Sequence, residues 1–187
     1  MGRARVIDRD AVLCAAERVV SRDGAARLTI EAVAAEAGIS KASVLYDYKT
    51  KQALIKAVIE RRIATETARL REIISQLGPV PDRAIRGHIT AAADGSSFDI
   101  DHAVALSLIA ALAQDADLRV PVEEAFRQQI AEIVETSSRP RSALVAFLAL
   151  EGLKLLECFG IYSWPEDERR RLVGEISALI SGKLEAA

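Results

Sequence analysis

The chain has 187 residues, 50% of them apolar, 28% charged and only 4% aromatic, enough apolar side chain for a packed core and too much for a disordered chain. Its net charge of -2 argues against a generally basic nucleic-acid binder, but the average conceals a split. Residues 1–62 carry 12 Lys+Arg against 8 Asp+Glu, a net of +4, whereas residues 63–187 carry 13 against 19, a net of -6, which suits a protein that offers one end to DNA.

In chain order, Arg3, Arg5 and Arg9 precede the first helix and are expected to be mobile. Asp8 or Asp10 caps that helix, whose apolar stripe is Val12, Leu13, Ala16, Val19 and Val20, and Gly24 ends it. Thr29 is the N-cap of a second helix, with Ile30, Val33, Ala34 and Ala37 at helical spacing as far as Gly38. Ser40 caps a third, short helix that reaches Tyr46 or Asp47, and the short turn between the two has the spacing of a helix-turn-helix. Lys41, Ala42, Ser43 and Tyr46 share the outward side of this third helix, and Val44 points back toward Val33 and Ala34. A long fourth helix opens at Thr50, where Lys49 and Lys51 flank free backbone N–H groups and form an anion site. It runs to about Leu77, roughly 40 Å at about 1.5 Å per residue, with Leu54, Ile55, Val58, Ile59, Ile63, Leu70, Ile73, Ile74 and Leu77 on its buried side.

After Pro79 and Pro81 the pattern stays helical. A fifth helix is expected from Pro81 to Ala93, a sixth from Asp99 to about Gln114, a seventh from about Pro121 to Thr136, and an eighth from about Arg141 to Ile161. The eighth is apolar almost all round, which implies a partner surface. The ninth starts at Pro165 with Glu166, Asp167 and Glu168 in its first turn, and carries Leu172, Val173, Ile176, Leu179, Ile180 and Leu184 as a seam. The fold class is therefore all-α. A three-helix helix-turn-helix head, residues 1–50, precedes an all-helical regulatory and dimerisation body, residues 51–187, with about nine helices in all.

Cys14 and Cys158 are far apart and only two His are present, so neither a disulfide framework nor a zinc site is expected, and the two thiols read as small buried side chains. No metal or other cofactor is implied. No apolar run approaches the ~18 residues of a membrane span, and a cytoplasmic protein is expected. No nucleophile elbow, phosphate loop or catalytic dyad is found, and His88 and His102 fall on different helices without a motif, so an enzyme is not expected.

The segment GISKASVLYDYKTKQAL, residues 38–54, resembles the helix-turn-helix signature of the TetR family of bacterial transcriptional regulators without a gap, and the resemblance extends over about residues 8–60. Leu45 stands where the family most often has Tyr, with Tyr46 one place later, and Asp47 stands where His is common. The resemblance implies a DNA groove face of Lys41, Ala42, Ser43 and Tyr46, with Thr29, Ser40, Tyr48, Lys49 and Lys51 as phosphate or positioning contacts, and it allows the arm of Arg3, Arg5 and Arg9 to track the DNA backbone, a merely solvated tail being the alternative. Tyr48 aligns with the family's Phe, which makes a core ring the commoner use.

LIAALAQDADLRVPVEEAFRQQIAEI and ALVAFLALEGLKLLECFGI also resemble one branch of the family's regulatory domains, more loosely. The family pairs through its last two helices, which here places Leu148, Leu155, Phe159, Leu172, Ile176, Leu179 and Ile180 at a homodimer interface. It implies a double-stranded, roughly palindromic operator, and a small, mainly apolar effector near Phe98, His102, Leu106, Phe126, Phe147 and Glu151. The chain is accordingly expected to be a dimeric repressor released by such a ligand. The alternative is a dimeric DNA-binding protein that acts without an effector, by occupancy or through a protein partner.

Overall fold

The computed structural model describes residues 8–24, 27–94 and 102–182. Among them are nine helices: α1 (Arg9–Asp23), α2 (Ile30–Ala37), α3 (Lys41–Asp47), α4 (Lys51–Leu77), α5 (Arg83–Ala93), α6 (His102–Gln114), α7 (Ala116–Thr136), α8 (Pro140–Cys158) and α9 (Glu166–Ser181). Two compact units result, one of Met1–Arg62 with Asp101–Val122 and one of Ile63–Ile100 with Glu123–Ala187. α4 contributes its first twelve residues to the first unit and the remainder to the second.

In the first unit α1, α2, α3 and α4 each begin on a side-chain acceptor. The Ala11 N–H donates to Asp8 Oδ1 at 3.1 Å, the Ala32 N–H to Thr29 Oγ1 at 3.0 Å, the Ser43 N–H to Ser40 Oγ at 3.1 Å and the Ala53 N–H to Thr50 Oγ1 at 3.0 Å. Each cap satisfies an N–H that the helix itself leaves without a partner. Gly38 closes α2 with φ +66°, a left-handed conformation that a β-carbon would strain. Val12, Leu13, Ala16, Val19 and Val20 of α1 are buried with Val33 and Ala34 of α2, Val44 of α3, and Leu54, Ile55, Val58 and Ile59 of α4. Burying a side chain of this size stabilises by about 1.5–3 kcal/mol, so this one core fixes the attitude of the eight- and seven-residue helices α2 and α3. Arg9 is not part of a mobile arm: it is the first residue of α1 and is ion-paired, while Arg3 and Arg5 lie outside the described residues.

In the second unit a core forms from Ala84, Ile85 and Ala92 of α5, Ile133 of α7, Ala143, Ala146, Phe147 and Leu150 of α8, and Ile180 of α9. α5 approaches α4 closely at Gly87, where a β-carbon would collide with the side chain of Ile74. Asp82, at φ +59°, accepts hydrogen bonds from Ser138 N–H (2.7 Å) and Ser138 Oγ (2.9 Å), and so ties the start of α5 to the turn between α7 and α8. The Arg169 guanidinium of α9 donates to Glu157 of α8 and to the Ala92 carbonyl at the end of α5, 2.8 Å each, satisfying a carbonyl that α5 leaves over.

Four expectations are corrected. α7 starts at Ala116, not near Pro121, because Asp115 caps it by accepting the Asp117 N–H at 3.0 Å; Pro121 sits inside the helix and leaves the Asp117 carbonyl without its usual partner. α5 starts at Arg83, two residues after Pro81, since Asp82 takes the left-handed turn. The stripe of α4 is fully buried only as far as Ile59; Ile63, Leu70, Ile73, Ile74 and Leu77 are half-buried. Both cysteines are free and only half-buried. The expected start of α6 at Asp99 lies outside the described residues, among which no helix is long and apolar enough to cross a membrane and no group of three or more His, Cys, Asp or Glu could hold a metal.

Candidate nucleic-acid interface

α2 and α3 hold their positions from behind. Val44 packs inward with Val33 and Ala34, leaving the other side of α3 to solvent, and that side carries Lys41, Ala42 and Tyr46, with Tyr46 79% exposed. Leaving a ring of this size in water gains nothing for the fold, so its placement is informative. Ser43 is half-buried and its Oγ lies 2.8 Å from Ser40 Oγ. Lys41 pairs with Glu31 across the α2–α3 turn at 2.5 Å, and that ammonium holds the Glu31 carboxyl below its usual range.

Two ion-pair clusters tie α1 to its neighbours α2 and α4. Glu36 of α2 accepts from Arg18 Nε (2.8 Å) and Arg22 Nη1 (2.7 Å) of α1; these guanidiniums, Arg18 first, depress its carboxyl pKa. Glu17 of α1 pairs with Arg61 (2.8 Å) and Arg62 (3.1 Å) of α4, all three partly buried. Asp47, the last residue of α3, accepts two bonds at one oxygen, from Arg9 Nε (3.0 Å) and Arg9 Nη2 (2.7 Å). Its side chain is only 7% exposed, so the carboxylate at the end of the outward helix is neutralised by its partner.

Thr29 and Ser40 are exposed caps of α2 and α3, Thr50 is the exposed cap of α4, and Lys49 is exposed beside it. Lys51, the first residue of α4, is half-buried. Tyr48 is buried, and burial pushes its phenol pKa up. The structure thus brings Thr29, Ser40, Lys41, Ala42, Ser43, Tyr46, Lys49 and Lys51 into one unit around α3, and sets the Tyr48 ring inside it. The pairing of Arg9 with Asp47 was missed, since nothing local in the sequence links residues 38 positions apart.

The residues expected around an effector are divided. Leu106 is in the first unit and half exposed, whereas Phe126, Phe147 and Glu151 are in the second. Phe147 is a core residue, with the Phe126 ring edge-on at 6.2 Å, and Glu151 accepts from Lys154 Nζ at 2.8 Å. Phe98 and the side chain of His102 lie outside the described residues. His88, which the sequence reading set aside, is buried at 5% exposure against Phe147.

Of the residues expected at the dimer seam, Leu148 (67%) and Leu155 (49%) of α8 are exposed, next to Val145, and Phe159, Leu172, Ile176 and Leu179 are half-buried. Ile180 belongs to the core of its own subunit and has little surface to offer.

Two family models match the chain: residues 12–58 match the bacterial regulatory proteins of the tetR family, and residues 82–181, more than half of the chain, match the tetracyclin repressor-like C-terminal domain. No curated protein matches by sequence. Among solved structures, a protein of Pseudomonas aeruginosa PAO1 assigned as a transcriptional regulator superposes with a TM-score of 0.76 at 16% identity, covering 92% of this chain and 88% of that one. A TetR-family member from Streptomyces coelicolor gives 0.64 at 21% identity, with 90% and 96% covered. The multidrug binding protein EbrR complexed with malachite green gives 0.66 at 23% identity, with 92% and 98% covered.

Proposed function

The chain belongs to the TetR family of bacterial regulatory proteins, DNA-binding regulators of transcription, and from that premise we propose that it is a dimeric repressor released from a roughly palindromic operator by a small, mainly apolar ligand. The observation that carries this reading is Tyr46: α3 is anchored from behind by Val44 and holds a large polar-tipped ring almost wholly in water beside Lys41 and Ala42. The exposed ring serves no purpose for its own core, and the helix that carries it has the dimensions to enter a major groove, where small Ala42 and Ser43 let it sit deep. Lys49, Lys51 and the hydroxyls of Thr29 and Ser40 supply phosphate contacts that fix register. Tyr48 supports the helix from within.

One helix reading a few base pairs discriminates weakly, at ~1–3 kcal/mol per good base contact, so two copies related by a twofold axis are required. Val145, Leu148 and Leu155 on α8, with Leu172, Ile176 and Leu179 on α9, supply an apolar surface for that pairing. The ligand acts by preferring the conformation that does not fit DNA; a ~100-fold preference shifts the equilibrium by ~2.7 kcal/mol. EbrR binds malachite green, and a helical body of the same fold supports a ligand here too, near Phe126, Phe147 and Glu151. Sequencing DNA fragments selected by the purified protein tests the reading: an enriched inverted repeat is expected, and recovery of no motif overturns sequence-specific repression. Apolar compounds that raise its melting temperature and release the selected fragment are expected from a screen; a hit that stabilises without release breaks the link between ligand and DNA.

A further inference from the structure

We infer that Arg9 is a phosphate contact of the DNA interface, held in place by Asp47 as a positioning residue. The proposal rests on α3 being the groove helix. Asp47 ends that helix, where the negative end of the dipole and a nearby DNA backbone both disfavour a carboxylate. The Asp47 side chain is nonetheless largely covered, and it is compensated by one guanidinium from the first turn of α1. Both bonds run to Asp47 Oδ1, from Nε and Nη2, so the fork is fixed in orientation while its remaining N–H groups stay available. The Arg9 side chain is 72% exposed, so solvent, or a second acceptor, reaches it.

The same guanidinium is bonded to the last residue of α3, one position after the exposed Tyr46, which sets it at the C-terminal end of that helix. Of the other carboxylates at that end of α1, Asp8 is engaged as the cap and Asp10 is exposed. A cation oriented by a covered acid presents a planar fork to a second acceptor without having to order a long side chain on binding, and a phosphate oxygen fits that fork. Asp47 therefore contributes through Arg9: it converts an acid that would repel DNA into the mount of a phosphate clamp.

The test measures binding of the full chain to duplex DNA of mixed sequence by fluorescence anisotropy over a range of salt. Arg9→Ala is expected to lower affinity about tenfold and to reduce the salt slope by about one per subunit. Because that variant strands a largely covered carboxylate, the double variant Arg9→Ala/Asp47→Asn is measured beside it, with the same loss of slope expected from a chain that keeps its melting temperature. Asp47→Asn alone keeps the cation and loosens its mount, so a wild-type slope with a few-fold weaker affinity is expected. Wild-type slopes in both Arg9 variants overturn the proposal, leaving the pair as charge neutralisation only; so does a slope that falls in Asp47→Asn, where the cation is still present. Failure of the wild-type chain to bind duplex DNA overturns the reading of α3 instead.

Discussion

His88 of α5 stands edge-on to Phe147 of α8, with ring centroids 5.1 Å apart and planes at 75°. Burial, with the charge of Lys154 adding to it, holds the imidazole pKa down to about 3 from an ordinary 6.5. The folded chain therefore keeps His88 neutral where the unfolded chain takes up a proton. Stability is fully present above about pH 6.5 and falls as the pH drops from there toward 3, by about 2 kcal/mol at pH 5. We predict that His88→Gln loses this part of the acid sensitivity, measured as the difference in urea-unfolding free energy between pH 7.5 and pH 5; an equal difference in variant and wild type assigns the effect to other groups.

Lys51 begins α4 beside the Thr50 cap, where free N–H groups and an ammonium act together. Lys51→Ala is predicted to weaken binding to every DNA sequence alike and to reduce the salt slope by about one per subunit. An unchanged slope removes Lys51 from the phosphate contacts.

Tyr46→Ala removes a ring that the fold does not use, so the unfolding free energy is predicted to stay within about 0.5 kcal/mol of wild type. Operator affinity or sequence preference changes in the same variant. Identical operator binding would exclude Tyr46 from the reading face.

Leu148→Glu is the clean test of pairing. Leu179 also lies on the expected seam, but it packs on the core of its own subunit, so a charge there disturbs folding and assembly together. Leu148 is exposed in the single chain, and Leu148→Glu is predicted to give folded monomers with lost operator affinity. Dimers persisting in sedimentation velocity would place the interface elsewhere.

Gly87→Ala probes the approach of α5 to α4. The added methyl meets the Ile74 side chain, and overpacking of this kind costs about 1–3 kcal/mol, outweighing the higher helix propensity of Ala. A melting temperature at or above wild type would show that Ile74 moves aside freely.

What was legible in the sequence was short-range. Asp8, Thr29, Ser40, Thr50 and Gly38 each act within a few residues of themselves, and the period of Val12, Leu13, Ala16, Val19 and Val20 names the face that is buried. Pro121 misled because a proline favours a helix start, while the neighbouring signal, Asp115, governs where α7 begins. Ile180 shows the limit of periodicity: a stripe at three-and-four spacing says that a face is covered, but not whether the same chain or another covers it. Arg9 with Asp47, and Glu17 with Arg61 and Arg62, join residues far apart in the chain, and no local pattern announces them.

α2, α3 and α4 open on Thr29, Ser40 and Thr50, whereas α1 opens on Asp8. An alcohol and a carboxylate are nearly equal as acceptors for a backbone amide, but only the alcohol retains a hydrogen of its own to give away. Exchanging Ser40 for aspartate would thus preserve the start of α3 while turning a group able to greet a nucleic-acid strand into one that drives it off.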